Sequence, residues 1–251
     1  MVRFFTLLFF SFAWVASGFE EPTRLKHPRS MSVSVIVPCA ACHFPLLLNL
    51  LEAYSTQSRL PDEVSISLSN CQNIKRSEID RLEAGPWPFR LKIMRHHGKR
   101  TAGENRNWAK MQATGDLLIA QDADDIPHPK RVEIVKYAFD HYDIDHLVHS
   151  WAPGTDLEPL SLSVIPVYKS TAREIFAGLQ TEHGTIPLHN GNICLAAEFA
   201  KRVRWDHIHD GQEDVRFNQL CYEKTQKTAL IPLGLILYRA DYSYFRYYKD
   251  D

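Results

Sequence analysis

Short apolar stretches alternate with segments of helical periodicity along the first 140 residues. β-branched or alternating runs predict strands at residues 33–37, 64–68 and 90–94, and Pro38 is expected to end the first of them. Apolar residues at helical spacing, or charged helix-forming residues, predict helices at residues 43–56, 76–84 and 102–113. This alternation indicates an α/β fold with a mostly parallel, doubly wound central sheet.

The pattern after this region is less regular. Strands are predicted at residues 145–150 and 161–168, and helices at residues 171–178, 196–203 and 213–224. The sequence contains no internal repeat, low-complexity tract or second domain boundary. We therefore expect residues 32–251 to form a single domain.

An aliphatic run from Gly115 to Ala120 ends in the acidic residues Asp122, Asp124 and Asp125. The run predicts a buried strand that delivers these carboxylates to the edge of the sheet, where open α/β sheets bind ligands. Carboxylates this close repel one another unless a hard divalent cation binds between them and a phosphorylated substrate. The cluster therefore predicts a metal-diphosphate site.

Helix capping is a second interpretation of the same cluster. Pro127 and Pro129 precede an apolar helical pattern that begins at Arg131, and Asp124 or Asp125 could cap that helix. One cap explains one carboxylate and not three. These residues alone leave both interpretations open.

Composition and charge exclude some classes of protein. The chain is 45% hydrophobic and 24% charged, as ordinary globular proteins are. Its net charge is −1, with no basic excess that would indicate a dedicated nucleic-acid binder. We expect no nucleic-acid partner.

The first 18 residues predict a secretory leader. Arg3 precedes an apolar run from Phe4 to Val15, and small residues up to Gly18 are spaced for cleavage. A cleaved signal peptide is favoured over a short signal anchor, because the run is short for a membrane span. Residues 19–31 read as a linker. We expect the domain in the secretory pathway lumen (ER or Golgi) or secreted, with membrane contact only if the leader is retained as an anchor.

Five cysteines, an odd number, leave at least one thiol unpaired within the chain. Cys39 and Cys42 have the spacing of a redox motif, but their flanking residues do not resemble a thioredoxin motif. Buried structural cysteines or one local disulfide is the prediction.

Taken in order, the motifs resemble the inverting glycosyltransferases of family two, nucleotide-sugar-dependent enzymes with the GT-A fold. The resemblance covers roughly residues 32–239. It rests on Ser34-Val35-Ile36-Val37-Pro38, Gly103-Glu104-Asn105-Arg106-Asn107, Gly115-Asp116 through Asp125 and Pro127, Asn190-Gly191-Asn192, Gly211-Gln212-Glu213-Asp214, and Tyr238-Arg239. Each motif alone is weak evidence for the family, whereas all of them in this order are strong evidence.

The resemblance implies a fold and a donor site. It implies a single-domain, Rossmann-like GT-A fold in which Asp124 is the principal ligand of Mn²⁺ or Mg²⁺. Asp122 lies nearer the ribose or completes the metal shell, and Asp125 is structural. The remaining residues expected to contact the nucleotide sugar are Pro38, Asn70, Arg106, Ala123, Asn190 and Gly191.

The resemblance also implies a catalytic base. An inverting enzyme needs a carboxylate that takes the proton of the acceptor hydroxyl as it attacks the sugar. Asp214 matches that position, and Glu213 could hold the acceptor. The alternative is that the pair only opens a helix, where acidic residues interact favourably with the helix dipole.

Two departures from the family pattern affect the prediction. Ser69-Asn70-Cys71 stands where the family usually has acidic residues for the nucleotide base, which leaves base preference open. Leu237-Tyr238-Arg239 replaces a late His-x-Arg element whose histidine can bind the metal. His207 or His209 is a candidate substitute ligand.

We expect transfer of a sugar, on family grounds from a UDP-sugar, to a hydroxyl of a glycan or protein acceptor. A non-catalytic GT-A-like domain that binds a glycan or nucleotide is the first alternative. A nucleotidyltransferase is the second, but the residues after the first strand lack a glycine- and lysine-rich phosphate loop. Acceptor and sugar specificity are expected in loops at residues 150–159 and 179–189.

Overall fold

The computed structural model describes residues 20–152, 160, 164–171, 179–181, 184–186, 190–207 and 212–239. The predicted leader over residues 1–18 and residues 172–178 of a predicted helix lie outside this part of the chain.

The described strands form a nine-stranded sheet with a parallel half. Strands β1 (Val33–Ala40), β2 (Glu63–Ser69), β3 (Arg90–Arg95) and β4 (Leu117–Ala120) are parallel in the order β3-β2-β1-β4. The sheet continues through β10 (Ile193–Ala196), β6 (His146–Ala152), β11 (Thr228–Leu237) and β5 (Ile126–Pro127).

Strand β10 is antiparallel to both β4 and β6, so β6 runs in the same direction as β4. Strand β11 is parallel to β6 and also pairs with β7 (Tyr168–Lys169). A separate hairpin joins β8 (Leu179–Thr181) and β9 (Gly184–Ile186). The carboxyl ends of β1, β2, β4, β6 and β11 therefore share one edge of the sheet.

Helices cover both faces of the sheet. Apolar residues of α1 (Leu47–Ser55), α2 (Arg76–Glu83) and α4 (Arg131–His141) join one buried cluster. Those of α3 (Ala102–Gln112), α5 (Ala197–Ala200) and α6 (Glu213–Lys224) join the other. Val35 and Val37 of β1 belong to the first cluster, whereas Ile36 belongs to the second, because successive strand residues face opposite sides.

Strand β1 continues through Pro38, contrary to the prediction that proline ends it. The carbonyl oxygen of Ile36 accepts a hydrogen bond from the backbone N–H of Gln121, at the end of β4. Pro38 lies two residues further and faces the same side, where the pairing with β4 has ended. Its missing N–H therefore removes no bond from the ladder.

Three other predicted elements differ from the structure. Residues 164–167 are not a strand, and pairing begins only at Tyr168, after Pro166, which has no N–H to donate. The predicted helix over residues 43–56 begins as a 3₁₀ turn, Ala41–Leu46, that contains Pro45. The predicted helix over residues 196–203 is shorter and covers only Ala197–Ala200.

The segment interpreted as a linker lies against the carboxyl end of α4. The backbone N–H groups of Leu25 and Arg29 donate to the carbonyl oxygens of His141 and Asp140, each at 2.8 Å. The backbone N–H of Met31 donates to the Asp140 carboxylate at 3.0 Å. Over the described residues, no helix combines the length and apolar character that crossing a membrane requires.

Candidate functional site

The acidic loop, residues 121–125, follows β4 at the shared carboxyl edge of the sheet. A carboxylate oxygen of Asp122 accepts a 2.7 Å hydrogen bond from Arg106. Asp125 is buried, and its carboxylate accepts a bond from the backbone N–H of Arg239 at 3.0 Å. The Arg239 side chain donates to the carbonyl oxygen of Asp124 at 2.6 Å, so the end of β11 holds the loop.

Burial and repulsion between carboxylates disfavour ionisation of Asp124 and Asp125. Burial, followed by repulsion from Asp122, raises the pKa of Asp124 to about 7. Burial and the charges of Asp124 and Asp122 likewise raise the pKa of Asp125 well above its usual range. A divalent cation at this loop would relieve that repulsion.

The capping interpretation of Asp124 and Asp125 is wrong. Helix α4 begins at Arg131, and its N-cap residue, Lys130, makes no side-chain cap bond. The residues between the loop and the helix include β5, which pairs with β11 and separates the carboxylates from the helix start.

Arg106 connects the acidic loop to the start of α6. Its Nη2 lies 2.7 Å from Asp122, and its Nη1 lies 3.6 Å from a carboxylate oxygen of Glu213. The guanidinium is buried, and its Nε and Nη1 make no hydrogen bond within the described part of the chain. A capping box between Thr101 and Glu104 fixes the start of α3, which carries Arg106.

Glu213 and Asp214 form the first turn of α6, as predicted. A carboxylate oxygen of Asp214 accepts from the backbone N–H of Val215 at 2.7 Å, so the helix-opening interpretation also describes this pair. The amide side chain of Asn218 donates to the carbonyl oxygen of Asp214 at 3.1 Å. The oxygen of the same amide bonds Nε2 of buried His146, which anchors α6 to β6.

Gly191 brings a short turn, residues 190–192, against the acidic loop. A Cβ atom at Gly191 would lie 3.3 Å from an oxygen of the Asp122 carboxylate. The carbonyl oxygen of Gly191 accepts from Arg131 at 2.5 Å, and the side chain of Asn192 donates to the carbonyl oxygen of His149 at 2.7 Å. The backbone of Asn190 belongs to this turn, whereas its side chain is outside the described structure.

The remaining residues that were predicted to contact the nucleotide sugar follow or end neighbouring strands. Pro38 is buried in β1, opposite Ser67 of β2. Asn70 follows β2 in the left-handed region, with φ of 59°, and its N–H donates to the carbonyl oxygen of Gly98. Ala123 is buried within the acidic loop.

No described group of three or more His, Cys, Asp or Glu side chains is arranged to hold a metal. His207 is exposed, and His209 lies outside the described residues. The hard oxygen donors of Asp122 and Asp124 nevertheless fit Mg²⁺ or Mn²⁺, which take few protein carboxylates and complete their shell with phosphate oxygens and water.

Sequence reasoning missed the buried polar residues beneath the acidic loop. Arg131 is fully buried and bonds both the end of β4 and the turn at Gly191. The burial of Arg131 could have been predicted from its position on the helix. Residues 131, 135, 138 and 142 share one face, and the last three are apolar or aromatic. An arginine on the apolar stripe of a helix indicates a buried polar partner.

Comparisons with known proteins agree with this architecture. Residues 34–173 match the family model described as glycosyl transferase family 2. The uncharacterized glycosyltransferase MJ1057 of Methanocaldococcus jannaschii is 27% identical over 190 residues, which cover 75% of this chain and 64% of that protein.

Solved structures share the fold. S. aureus TarS 1–349 in complex with UDP superimposes with a TM-score of 0.63 at 16% identity, covering 83% of this chain and 60% of that one. The mannosyltransferase PcManGT from Pyrobaculum calidifontis, in complex with GDP-Man and Mn²⁺, gives a TM-score of 0.58 at 17% identity, covering 90% of this chain and 61% of that one.

This chain thus spans less than two thirds of the length of each of these three proteins. The expected fold class, a single GT-A domain with a mostly parallel sheet, is confirmed. The family model covers more than half of the 251 residues. The chain belongs to glycosyltransferase family 2.

Proposed function

We propose that the chain is an inverting, metal-dependent glycosyltransferase that moves a sugar from a nucleotide-sugar donor to an acceptor hydroxyl. The observation that carries this proposal is the position of Arg106 between Asp122 and Glu213. Through it, the proposed donor-binding loop and the helix turn that contains the proposed base belong to one site.

A UDP-sugar is the favoured donor. TarS has been crystallised with UDP and with UDP-GlcNAc, and PcManGT with GDP-Man. We assign the nucleotide to the ends of β1 and β2, near Pro38 and Asn70, and the donor sugar to the turn at Asn190 and Gly191. The glycine supports this assignment because it lets the backbone approach a ligand closely.

Asp124 and Asp122 of the acidic loop would hold a divalent cation beside the diphosphate end of the donor. Bound Mn²⁺ or Mg²⁺ supplies positive charge that neutralises the departing diphosphate. Asp124 is its principal ligand, and Asp122 either completes the metal shell or contacts the ribose. Within the described part of the chain, Nε and Nη1 of Arg106 make no hydrogen bond, and Nη1 has only the 3.6 Å ion pair with Glu213. This guanidinium therefore fits an anionic, oxygen-rich ligand beside Asp122.

Asp214 takes the proton from the acceptor hydroxyl. As the hydroxyl oxygen bonds to the anomeric carbon, the bond from that carbon to the diphosphate breaks on the opposite face, which inverts the configuration. Glu213 holds the acceptor, and its neighbour Arg106 limits how far it can move. The acceptor is a glycan or protein, and delivery to the secretory lumen stays a prediction from residues 1–18.

The test is transfer and donor hydrolysis by the full chain across a panel of nucleotide sugars, with Mn²⁺ and with chelator. Asp124→Ala and Asp214→Asn are the informative variants. Glu198→Gln is the control, because it removes an exposed carboxylate on α5, remote from the acidic loop. We expect metal-dependent turnover of one donor and a loss of about 100-fold or more in both informative variants, the usual effect of removing a general base or a metal ligand.

The configuration of the product is read by NMR of the anomeric proton. A product with the opposite anomeric configuration to the donor supports inversion, and a retained configuration excludes Asp214 as the base of a single displacement. Nucleotide binding without turnover of any donor would replace the proposal with a non-catalytic binding domain.

A further inference from the structure

A buried arginine lies beneath the acidic loop. Arg131 begins α4 and is 0% exposed. Its three nitrogens donate to acceptors on α1, β4, β6, the acidic loop and the turn at residues 190–192. These acceptors are the carbonyl oxygens of Ala120 (2.7 Å) and Gly191 (2.5 Å), Oε1 of Gln121 (2.5 Å), the hydroxyl of Tyr54 (3.1 Å) and Nε2 of His149 (3.1 Å).

All five acceptors are neutral groups. Because Nε of Arg131 donates to Nε2 of His149, that imidazole is neutral, and its Nδ1–H donates to the carbonyl oxygen of Ser150 at 2.8 Å. None of the ion pairs between described residues includes Arg131. Among the described residues Arg131 has no direct carboxylate partner, although its charge acts on Asp125 from a distance. Its side chain is held by five hydrogen bonds to neutral groups, and these bonds in turn fix the positions of the groups that accept them.

Arg131 bonds the acidic loop directly at Gln121, and Gln121 connects it to the residues that carry the carboxylates. Tyr54 donates its hydroxyl proton to Oε1 of Gln121, which also accepts from Arg131. Nε2 of Gln121 in turn donates to the carbonyl oxygens of Asp122 at 2.8 Å and Asp125 at 3.2 Å. Arg131 therefore fixes the backbone from which the carboxylates project.

The same guanidinium also bonds the turn at residues 190–192, which lies opposite the acidic loop. Nη2 of Arg131 bonds the carbonyl oxygens of Ala120, on β4, and Gly191, in the turn at residues 190–192. A planar guanidinium offers these donors in a rigid fork, so one nitrogen sets the spacing between strand end and turn. Gly191 already lies in close contact with Asp122, so a small change in this spacing would alter the gap between them.

We propose that Arg131 is a positioning residue that sets the gap between the acidic loop and the turn at residues 190–192, where the cation and the donor sugar are held. The inference rests on the proposed function for the identity of the ligand. The geometric part, that Arg131 holds these two backbone segments together, does not depend on it.

Two variants of graded severity test the proposal. Arg131→Lys keeps the positive charge but removes the planar guanidinium with its several donors. Tyr54→Phe removes only the one hydroxyl that bonds Arg131 and Gln121. Tyr142→Phe is the matched control, because Tyr142 is equally buried and its hydroxyl bonds Arg24 near the end of α4. Each full-length variant is compared with wild type by hydrogen exchange and by donor kinetics with graded Mn²⁺.

Hydrogen exchange reports how firmly the two backbone segments are held, and it does not require enzymatic activity. We expect faster amide exchange in Arg131→Lys within residues 121–126 and 190–193, by about tenfold or more, with β2 unchanged. Tyr54→Phe should show a smaller change in residues 121–126, and Tyr142→Phe none. Uniformly faster exchange across the sheet, or unchanged exchange in both segments, would overturn the proposal.

The kinetic experiment separates positioning from general stability. We expect the KM for the donor and the Mn²⁺ concentration for half-maximal rate to rise about tenfold or more in Arg131→Lys, as outer-shell changes usually cause. Tyr54→Phe should raise both by a smaller factor at wild-type Tm. If Arg131→Lys does not fold, Tyr54→Phe decides, and unchanged KM and Mn²⁺ requirement in that variant would overturn the inference. If the wild-type protein turns over no donor, the proposed function is wrong. The hydrogen-exchange result would still show whether Arg131 holds the two backbone segments in place.

Discussion

At the scale of single residues, the three carboxylates of the acidic loop have different surroundings. The negative charge of Asp122 is balanced by its hydrogen bond with the Arg106 guanidinium. The carboxylate of Asp125 accepts a hydrogen bond from the backbone N–H of Arg239. Asp124 combines burial with repulsion from Asp122, and its pKa of about 7 reflects both. The folded chain therefore holds this carboxylate at a cost, which a cation would offset.

Replacing Asp124 with asparagine is expected to stabilise the metal-free protein. The pKa of Asp124 rises from 3.8 to about 7 on folding, so its contribution to stability is present at low pH and lost as pH rises through 7. Each pKa unit corresponds to about 1.4 kcal/mol, and we expect Asp124→Asn to raise the free energy of unfolding at pH 8 by at least ~1 kcal/mol.

Urea denaturation in chelator between pH 4 and pH 8 measures this effect. The control is Asp143→Asn, which removes a partly exposed carboxylate that is paired with Lys227 and lies outside the acidic loop. Added Mn²⁺ should stabilise wild type and not Asp124→Asn. An identical loss of stability with rising pH in wild type and Asp124→Asn would show that Asp124 does not carry the cost.

At the scale of elements, α3 is fixed tightly to the segment after α5. The side chain of Asn107 exchanges two hydrogen bonds with the backbone of Trp205, at 2.7 and 3.1 Å. Gly103 approaches the same segment so closely that a Cβ atom would lie 2.0 Å from the carbonyl oxygen of Asp206. This close approach places α3, and with it Arg106, against the acidic loop.

Gly103→Ala is therefore expected to destabilise the fold strongly. The added methyl group meets backbone, which cannot rotate away, and overpacking of this kind costs about 2 kcal/mol or more. Gly98→Ala is the matched control, because nothing lies within 4 Å of its Cβ position, and its effect should stay within about 0.5 kcal/mol. Urea denaturation of both variants is the measurement, and equal stability would contradict the observed approach of α3.

At the scale of the whole molecule, two apolar clusters enclose the sheet and most of the thiols. The five cysteines form no disulfide, and all except Cys42 are buried. Burial raises the pKa of the Cys194 thiol to about 12, which suppresses the reactive thiolate. Of the two predicted alternatives, the structure therefore has buried cysteines and not a local disulfide.

The native protein should accordingly expose one reactive thiol. With a thiol reagent at pH 8, we expect about one thiol per chain to react quickly and the other four only on unfolding, because reaction requires an exposed thiolate. Cys42→Ser should abolish the fast phase, and a reducing agent should leave Tm unchanged. An intact mass that rises by two hydrogens on reduction would instead reveal a disulfide.

Most of the parallel half of the fold follows from local sequence patterns. Local sequence patterns located β2, β3, α2 and α3 to within one residue, because each element buries a face of its own. They also placed the acidic loop after β4, since a polar cluster must follow where a buried strand ends. Irregular segments were predicted less accurately. Of the strand predicted at residues 161–168, residues 164–167 are not a strand, because Pro166 has no N–H to donate to a neighbouring strand.

The contacts between distant groups were not predictable from local patterns and became visible in the folded chain. The contact of Arg106 with Glu213, the bonds of Arg239 to the acidic loop and the network of Arg131 all join residues far apart in the chain. Local patterns report which face of an element is buried and not which partner covers it. Strand register, strand order and the burial of charged groups are properties of the folded chain. They place the acidic loop opposite the turn at residues 190–192 and so form the candidate site.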